Sequence, residues 1–249
     1  GFEFLDSLGY HYYFLFTLTP YGRDLELNVP DKEKIIEIFI KLSQRIGKEK
    51  VIWRYDPIFM TDKIDIRYHC RWFDYLSGRL SGYTVRCIIS FLDLYKKCER
   101  NLRNVNIRKT GEDDMKELTS HLLEIARKHR IDLQTCAEET GFLDKGVILG
   151  KCIDDELIAR IMGKKVKREK DRLQRPNCRC VTSMDIGAYN TCLHHCLYCY
   201  ANSSRVRAEE NADRHQPTSP ILCGHLSQKE TASINNSCVE SQRELFKLR

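Results

Sequence analysis

The chain has 249 residues, of which 42 % are hydrophobic, and its formal net charge is +6. This length allows a substantial core, and we favour one α/β domain over two smaller domains. The charge is too modest to indicate nucleic-acid binding by itself. The sequence has neither a long apolar run typical of a membrane span nor a secretory signal in residues 1–25, so we expect a cytoplasmic protein without membrane association.

The first elements are predicted to be a helix end, a strand and a helix. Residues 2–8 resemble the end of a helix that stops at Gly9, which implies an earlier β/α unit and therefore an N-terminally truncated sequence. The apolar run over residues 12–18 predicts a strand buried on both faces. Apolar residues at helical spacing then predict a helix that begins near Asp31 and ends at Gly47.

The remaining units repeat this order. Strands are predicted at residues 51–55, 85–91, 131–136 and 180–184, and helices at residues 64–80, 113–129 and 154–162. Residues 164–175 form a charged connector. Residues 206–249 have no periodic pattern of apolar residues and are richer in polar residues, so we expect an irregular tail.

The alternation of strands and helices predicts a parallel sheet with helices outside it. The best fit is a full or partial TIM-like β/α barrel over residues 1–205, with a doubly wound sheet as the alternative. In both folds, functional residues gather beyond the C-terminal ends of the strands. The polar residues and the cysteine predicted at that edge are Thr17, Thr19, Tyr21, Arg23, Arg54, Asp56, Ser90, Asp93, Tyr95, Cys136, Glu138 and Glu139.

Three cysteines follow the last predicted strand, within the segment 185–202. Cys192, Cys196 and Cys199 have the spacing i, i+4 and i+7, so they could form a buried stripe on one helix face. They could also bind zinc, with His194, His195 or a distant cysteine as the fourth ligand. A third hypothesis is an iron–sulfur cluster in which one iron has no protein ligand. Without an export signal, the twelve cysteines of the chain favour metal ligation over disulfides.

The pattern C-x3-C-x2-C, with Tyr198 before the last cysteine, resembles the signature of the radical S-adenosylmethionine enzymes. The resemblance implies a 4Fe–4S cluster on the three cysteines, with S-adenosyl-L-methionine bound at the open iron and cleaved reductively to release a radical. It also implies an electron donor such as a flavodoxin or ferredoxin. Tyr198 and Asn202 are then expected near the cofactor, and the strand-end residues Arg54 and Asp56 suit contacts to it or ordinary ion pairing.

A wider resemblance is carried by four motifs. These are DIGAYNTC at residues 185–192, CYAN at 199–202, TLTPYG at 17–22 and WRYDP at 53–57. Together they resemble an uncharacterised prokaryotic family, domain of unknown function 1848, over most of residues 10–205. That family is noted for a C-terminal cysteine cluster like that of radical S-adenosylmethionine proteins. The triplet follows the last predicted strand here, whereas in most enzymes of that superfamily it follows the first barrel strand.

Four further cysteines are expected near the same edge. Cys136, Cys152, Cys178 and Cys180 lie at predicted strand ends or before the triplet, and we predict that they bind an auxiliary iron–sulfur cluster. The alternative is that they are packing residues or flank a strand.

The basic run at residues 164–172 is either a solvated connector or a phosphate-binding segment. The alternative function is therefore a zinc-stabilised module that binds nucleic acid. The phrase C-x3-C-x-Y-C-Y also resembles spore photoproduct lyase, a DNA repair enzyme.

Overall fold

The computed structural model describes residues 1–93, 96–137, 146–166, 169–219, 221–224 and 226. Tyr95, Glu138 and Glu139 lie outside these ranges. The chain divides into two compact units, each of which is described separately. The sheet unit contains residues 1–184 and 196–198, and the C-terminal unit contains residues 185–195 and the described residues from 199 onward.

Strands and helices alternate through the sheet unit, as the sequence predicts. The strands are β1 (Phe14–Thr17), β2 (Val51–Ile58), β3 (Met60–Thr61), β4 (Arg86–Phe91), β5 (Ile107–Arg108), β6 (Asp132–Thr135) and β7 (Ile148–Leu149). The helices are α1 (Phe2–Ser7), α2 (Lys32–Ile46), α3 (Ile66–Leu80), α4 (Lys96–Asn101), α5 (Glu112–Lys128) and α6 (Asp155–Met162), with a short 3₁₀ turn at Lys48–Lys50. Helix α7 (Arg205–Asp213) lies in the C-terminal unit, so the predicted tail is not irregular throughout.

Five parallel strands form the main sheet in the order β1-β2-β4-β6-β7, and β3 and β5 form a small antiparallel pair. The predicted parallel α/β architecture is therefore confirmed. The strand order follows the chain without the reversal that defines a doubly wound sheet. In the part of the chain that the structure describes, β1 and β7 are sheet edges and no closed barrel is found.

The strand predicted at residues 180–184 is wrong. The backbone there bonds to a neighbouring loop instead of the sheet, because Asp171 N donates to Cys180 O at 3.0 Å and Thr182 N donates to Glu169 O at 2.9 Å. The fifth strand of the sheet is β7, which the sequence did not predict. The cysteine loop thus does not follow directly on a strand.

The core lies where α2, α3 and α5 cover the sheet. Trp53 stacks on Phe73 with ring centroids 4.9 Å apart, and its indole N–H donates to Leu18 O at 2.9 Å. Strand β1 was expected to be buried on both faces, but its residues are partly or fully exposed because it is an edge strand. None of the helices in the described ranges is long and apolar enough to cross a membrane.

Candidate functional site

The cysteine triplet lies on irregular backbone. Residues 191–200 form two short turns and no helix, so the hypothesis of a buried stripe on one helix face is wrong. Asn190 has φ 57° and His195 has φ 52°, both in the left-handed region that a continuing right-handed helix excludes. The three cysteines are therefore presented by a loop.

The middle of this loop, residues 196–198, belongs to the sheet unit. Leu197 N donates to Leu25 O at 2.9 Å, and Cys196 forms an isolated β-bridge with Glu26. The Cys98 thiol donates to Tyr198 O at 3.1 Å. Because Leu25 and Glu26 lie in the loop after β1, this segment lies beyond the C-terminal end of β1.

A buried carboxylate fixes the same segment. Glu26 is 2 % exposed and accepts hydrogen bonds from the hydroxyls of Thr19 and Tyr198. Lys32 Nζ lies 2.5 Å from its other oxygen. Burial, followed by the nearby Glu26 charge, raises the pKa of Tyr198, so its hydroxyl keeps its proton and donates.

An aromatic group surrounds the Tyr198 ring. The centroid of the Tyr198 ring lies 5.7 Å from that of Tyr21 and 5.9 Å from that of Phe59. The rings of Tyr21 and Phe59 stack on each other, with centroids 4.5 Å apart. The Tyr21 hydroxyl donates to Pro57 O at 2.7 Å, at the end of β2. Apolar packing and the carboxylate contact thus both hold Tyr198 in place.

The outer two cysteines belong to the C-terminal unit. Cys192 is exposed and Cys199 is partly exposed. Asn202, predicted to contact a cofactor, donates from Nδ2 to Cys192 O at 2.5 Å, while its Oδ1 is buried without a hydrogen-bond partner among the described residues. His195 Nε2 lies 3.7 Å from Glu209 Oε1.

The predicted strand-end pair lies within β2, where Arg54 is the fourth residue of the strand and Asp56 is the sixth. The Arg54 guanidinium forms an ion pair with Asp56, and the Ser90 hydroxyl on β4 donates to the same carboxylate. Arg54 Nε is buried and has no hydrogen-bond partner in the described ranges. Asp93, another predicted edge residue, pairs with Arg175.

The four remaining candidate cysteines come together in the sheet unit. The sulfur atoms of Cys136 and Cys152 are 3.4 Å apart, and the Cys180 sulfur accepts a hydrogen bond from the N–H of Ile153, the residue that follows Cys152. The contacts with Cys152 lower the pKa of Cys136 and of Cys180, and the same contacts, together with burial, raise the pKa of Cys152. None of the cysteines in the described ranges is in a disulfide.

The candidate ligand side chains of the described residues are not already arranged to surround a metal ion. No group of three or more His, Cys, Asp or Glu residues in the described part of the chain has a geometry that could hold one.

The residues that sequence reasoning missed are Glu26 and Lys32. The Tyr198 partner of Glu26 lies 172 positions away in the chain, and no local pattern connects the two residues. Phe59, which packs on Tyr198, was also missed.

These features define an α/β protein with an open, five-stranded parallel sheet and two sets of clustered or closely spaced cysteines. A family model described as Domain of unknown function (DUF1848) matches residues 2–201, so the chain belongs to that family. The family resemblance drawn from the sequence motifs is thereby confirmed. No curated protein and no solved structure matches the chain.

Proposed function

We propose that this protein is an iron–sulfur protein of the radical S-adenosylmethionine type, with Cys192, Cys196 and Cys199 as the ligands of a 4Fe–4S cluster. The observation that carries the proposal is the C-x3-C-x2-C spacing on a non-helical loop. A cluster held by three thiolates keeps one iron open, and such a cluster supplies the electron that cleaves bound S-adenosylmethionine reductively.

The donor set suits this cluster better than a zinc ion. The loop offers three thiols within eight residues, and Cys192 is exposed, so an external ligand has access to at least one side of the loop. A structural zinc site needs a fourth protein ligand. Among the candidates for that ligand, His195 faces Glu209 within the C-terminal unit, which argues against its use.

The residues around the loop have positioning roles in this proposal. Tyr198 holds the middle of the loop through the buried Glu26 carboxylate and through its aromatic neighbours. Asn202 holds the backbone at Cys192, and its buried Oδ1 is available to accept a hydrogen bond. We assign Arg54 and Asp56 to the polar groups of S-adenosylmethionine or of the substrate, because Arg54 pairs in register with Thr17, the last residue of β1, and Asp56 lies two residues farther along β2.

We extend the proposal to the architecture. Part of a β/α barrel is expected to have parallel strands in chain order, because each new strand is added at the same edge of the sheet. The five parallel strands of this sheet have that order. In such a scaffold the catalytic groups gather at the C-terminal edge of the strands. The position of residues 196–198, beyond the C-terminal end of β1, agrees with that rule.

Metal content after anaerobic purification and reconstitution tests the proposal. The wild-type chain is expected to be brown and to bind about four irons and about four sulfides through the triplet. A variant with Cys192, Cys196 and Cys199 replaced by Ala should lose them, whereas the matched control Cys223→Ser should keep them. A colourless wild-type chain with zinc in the triplet would contradict the proposal and favour the zinc-stabilised module instead.

A further inference from the structure

We propose that Cys136, Cys152, Cys178 and Cys180 form a second metal site, which binds one zinc ion through four thiolates. The site is distinct from the triplet, since the two share no residue and none of these four cysteines takes part in the function proposed above. The proposal replaces the auxiliary iron–sulfur cluster that the sequence predicted at these residues.

The first observation is the convergence of four thiols from three segments. Cys136 follows β6, Cys152 follows β7, and Cys178 and Cys180 come from the loop at residues 169–184. Cys136 is 8 % exposed, and Cys178 and Cys180 are each 6 % exposed. None of these four cysteines is in a disulfide, and sets of reduced, largely buried cysteines are typical of structural zinc sites.

The second observation is the distance between the sulfur atoms. Four thiolates at about 2.3 Å from one tetrahedral zinc ion are about 3.8 Å from each other. The 3.4 Å between the Cys136 and Cys152 sulfurs is close to that value. The ligands of an iron–sulfur cluster bind separate irons and must stand farther apart. The spacing of this pair therefore favours two ligands of a single ion.

Binding requires side-chain rotation, because no three of these cysteines are yet oriented as ligands of one ion. A cysteine side chain has one rotatable χ1 with three staggered positions, so its sulfur can move while the backbone stays in place. The backbone is already fixed here. Val181 N donates to Ile153 O at 3.2 Å, and Asp171 N donates to Cys180 O at 3.0 Å.

The surroundings suit a negatively charged metal–thiolate centre. A zinc ion with four thiolates carries a net charge of about −2. Ile153 N donates to the Cys180 sulfur at 3.3 Å. Backbone N–H groups are contacts that stabilise ligand sulfur in such sites. The zinc ion would join the loop at residues 169–184 to the ends of β6 and β7.

Metal analysis of paired variants tests the assignment. The wild-type chain, purified without added metal, should contain about one zinc per chain. Cys152→Ser/Cys180→Ser should lose the zinc and keep the iron bound by the triplet. The variant with Ala at Cys192, Cys196 and Cys199 should lose iron and keep zinc. These opposite patterns separate failure of this site from failure of the proposed function.

Cysteine alkylation of the wild-type chain avoids any dependence on how the variants fold. Addition of a zinc chelator should increase alkylation of the four site cysteines several-fold, while the fully buried Cys87 should remain unreactive. Cobalt(II) added to the chelator-treated chain should produce thiolate-to-metal charge-transfer absorption. About eight irons without zinc, or zinc that persists in Cys152→Ser/Cys180→Ser, would overturn the proposal. Alkylation that is unaffected by the chelator would overturn it as well.

Discussion

The contact between Tyr198 and Glu26 gives the sharpest energetic prediction. Tyr198→Phe removes only a hydroxyl, and the aromatic contacts with Tyr21 and Phe59 can persist. A hydrogen bond to a charged group contributes about 1.5–3 kcal/mol, and Glu26 is buried, so we expect the free energy of unfolding to fall by about 2 kcal/mol. The carboxylate keeps its bonds from Thr19 and Lys32, which limits the loss.

Urea unfolding followed by tryptophan fluorescence measures this loss. Tyr189→Phe is the matched control, because Tyr189 is exposed and its hydroxyl is solvated, so a change within about 0.5 kcal/mol is expected. A double-mutant cycle with Glu26→Gln isolates the pair and should give a coupling energy above about 1 kcal/mol. A coupling near zero would refute the argument that Glu26 holds the cysteine loop through Tyr198.

Three further predictions concern stability. His69 is fully buried, and this burial lowers its pKa to about 4. Between pH 6.5 and about 4, only the unfolded chain binds a proton at this histidine. The contribution of neutral His69 to stability is therefore complete above pH 6.5, and the free energy of unfolding falls below pH 6.5 by up to about 1.4 kcal/mol per pH unit. His69→Gln should flatten that dependence in urea titrations at several pH values, and a slope unchanged from that of the exposed control His121→Gln would contradict the reasoning. Arg86→Met leaves the buried Asp154 carboxylate without its cation and should cost about 3–5 kcal/mol in urea unfolding, whereas a cost below about 1 kcal/mol would rule out a tight ion pair. Gly163 has φ 66°, and the space where the Cβ of an alanine would lie is open. Gly163→Ala should therefore lower the free energy of unfolding, measured by the same assay, only by the backbone strain of about 1 kcal/mol. A stabilised variant would be inconsistent with that backbone conformation.

Much of the fold is readable from the sequence because its long elements have strong periodicity. The helices near residues 32–46, 66–80 and 112–128 each have a continuous apolar stripe, and the ends of α2 are marked by Asp31 and Gly47. Strand β7 was not predicted, because a strand of two residues is too short to show an alternating hydrophobic pattern. Residues 180–184 were assigned to a strand, yet their backbone hydrogen bonds go to Ile153 and to residues 169–171, none of which lies in a strand of the sheet.

The candidate site was only partly readable. The triplet is visible because its three cysteines are close together in the sequence, and the approach of Cys136 to Cys152 follows from parallel strands that end at one edge of the sheet. The role of Glu26 was not visible, because a carboxylate in a polar loop looks solvated until its distant partner Tyr198 is placed against it. Long-range contacts of this kind depend on tertiary structure alone.

The central claim is that Cys192, Cys196 and Cys199 hold a cluster that acts on S-adenosylmethionine. The most direct measurement is the formation of 5′-deoxyadenosine when the anaerobically reconstituted chain is mixed with S-adenosylmethionine and dithionite. We expect the wild-type chain and Cys223→Ser to form 5′-deoxyadenosine, and the variant in which the three cysteines are Ala to form none. Equal formation by that variant, or none by a wild-type chain that holds four irons, would contradict it.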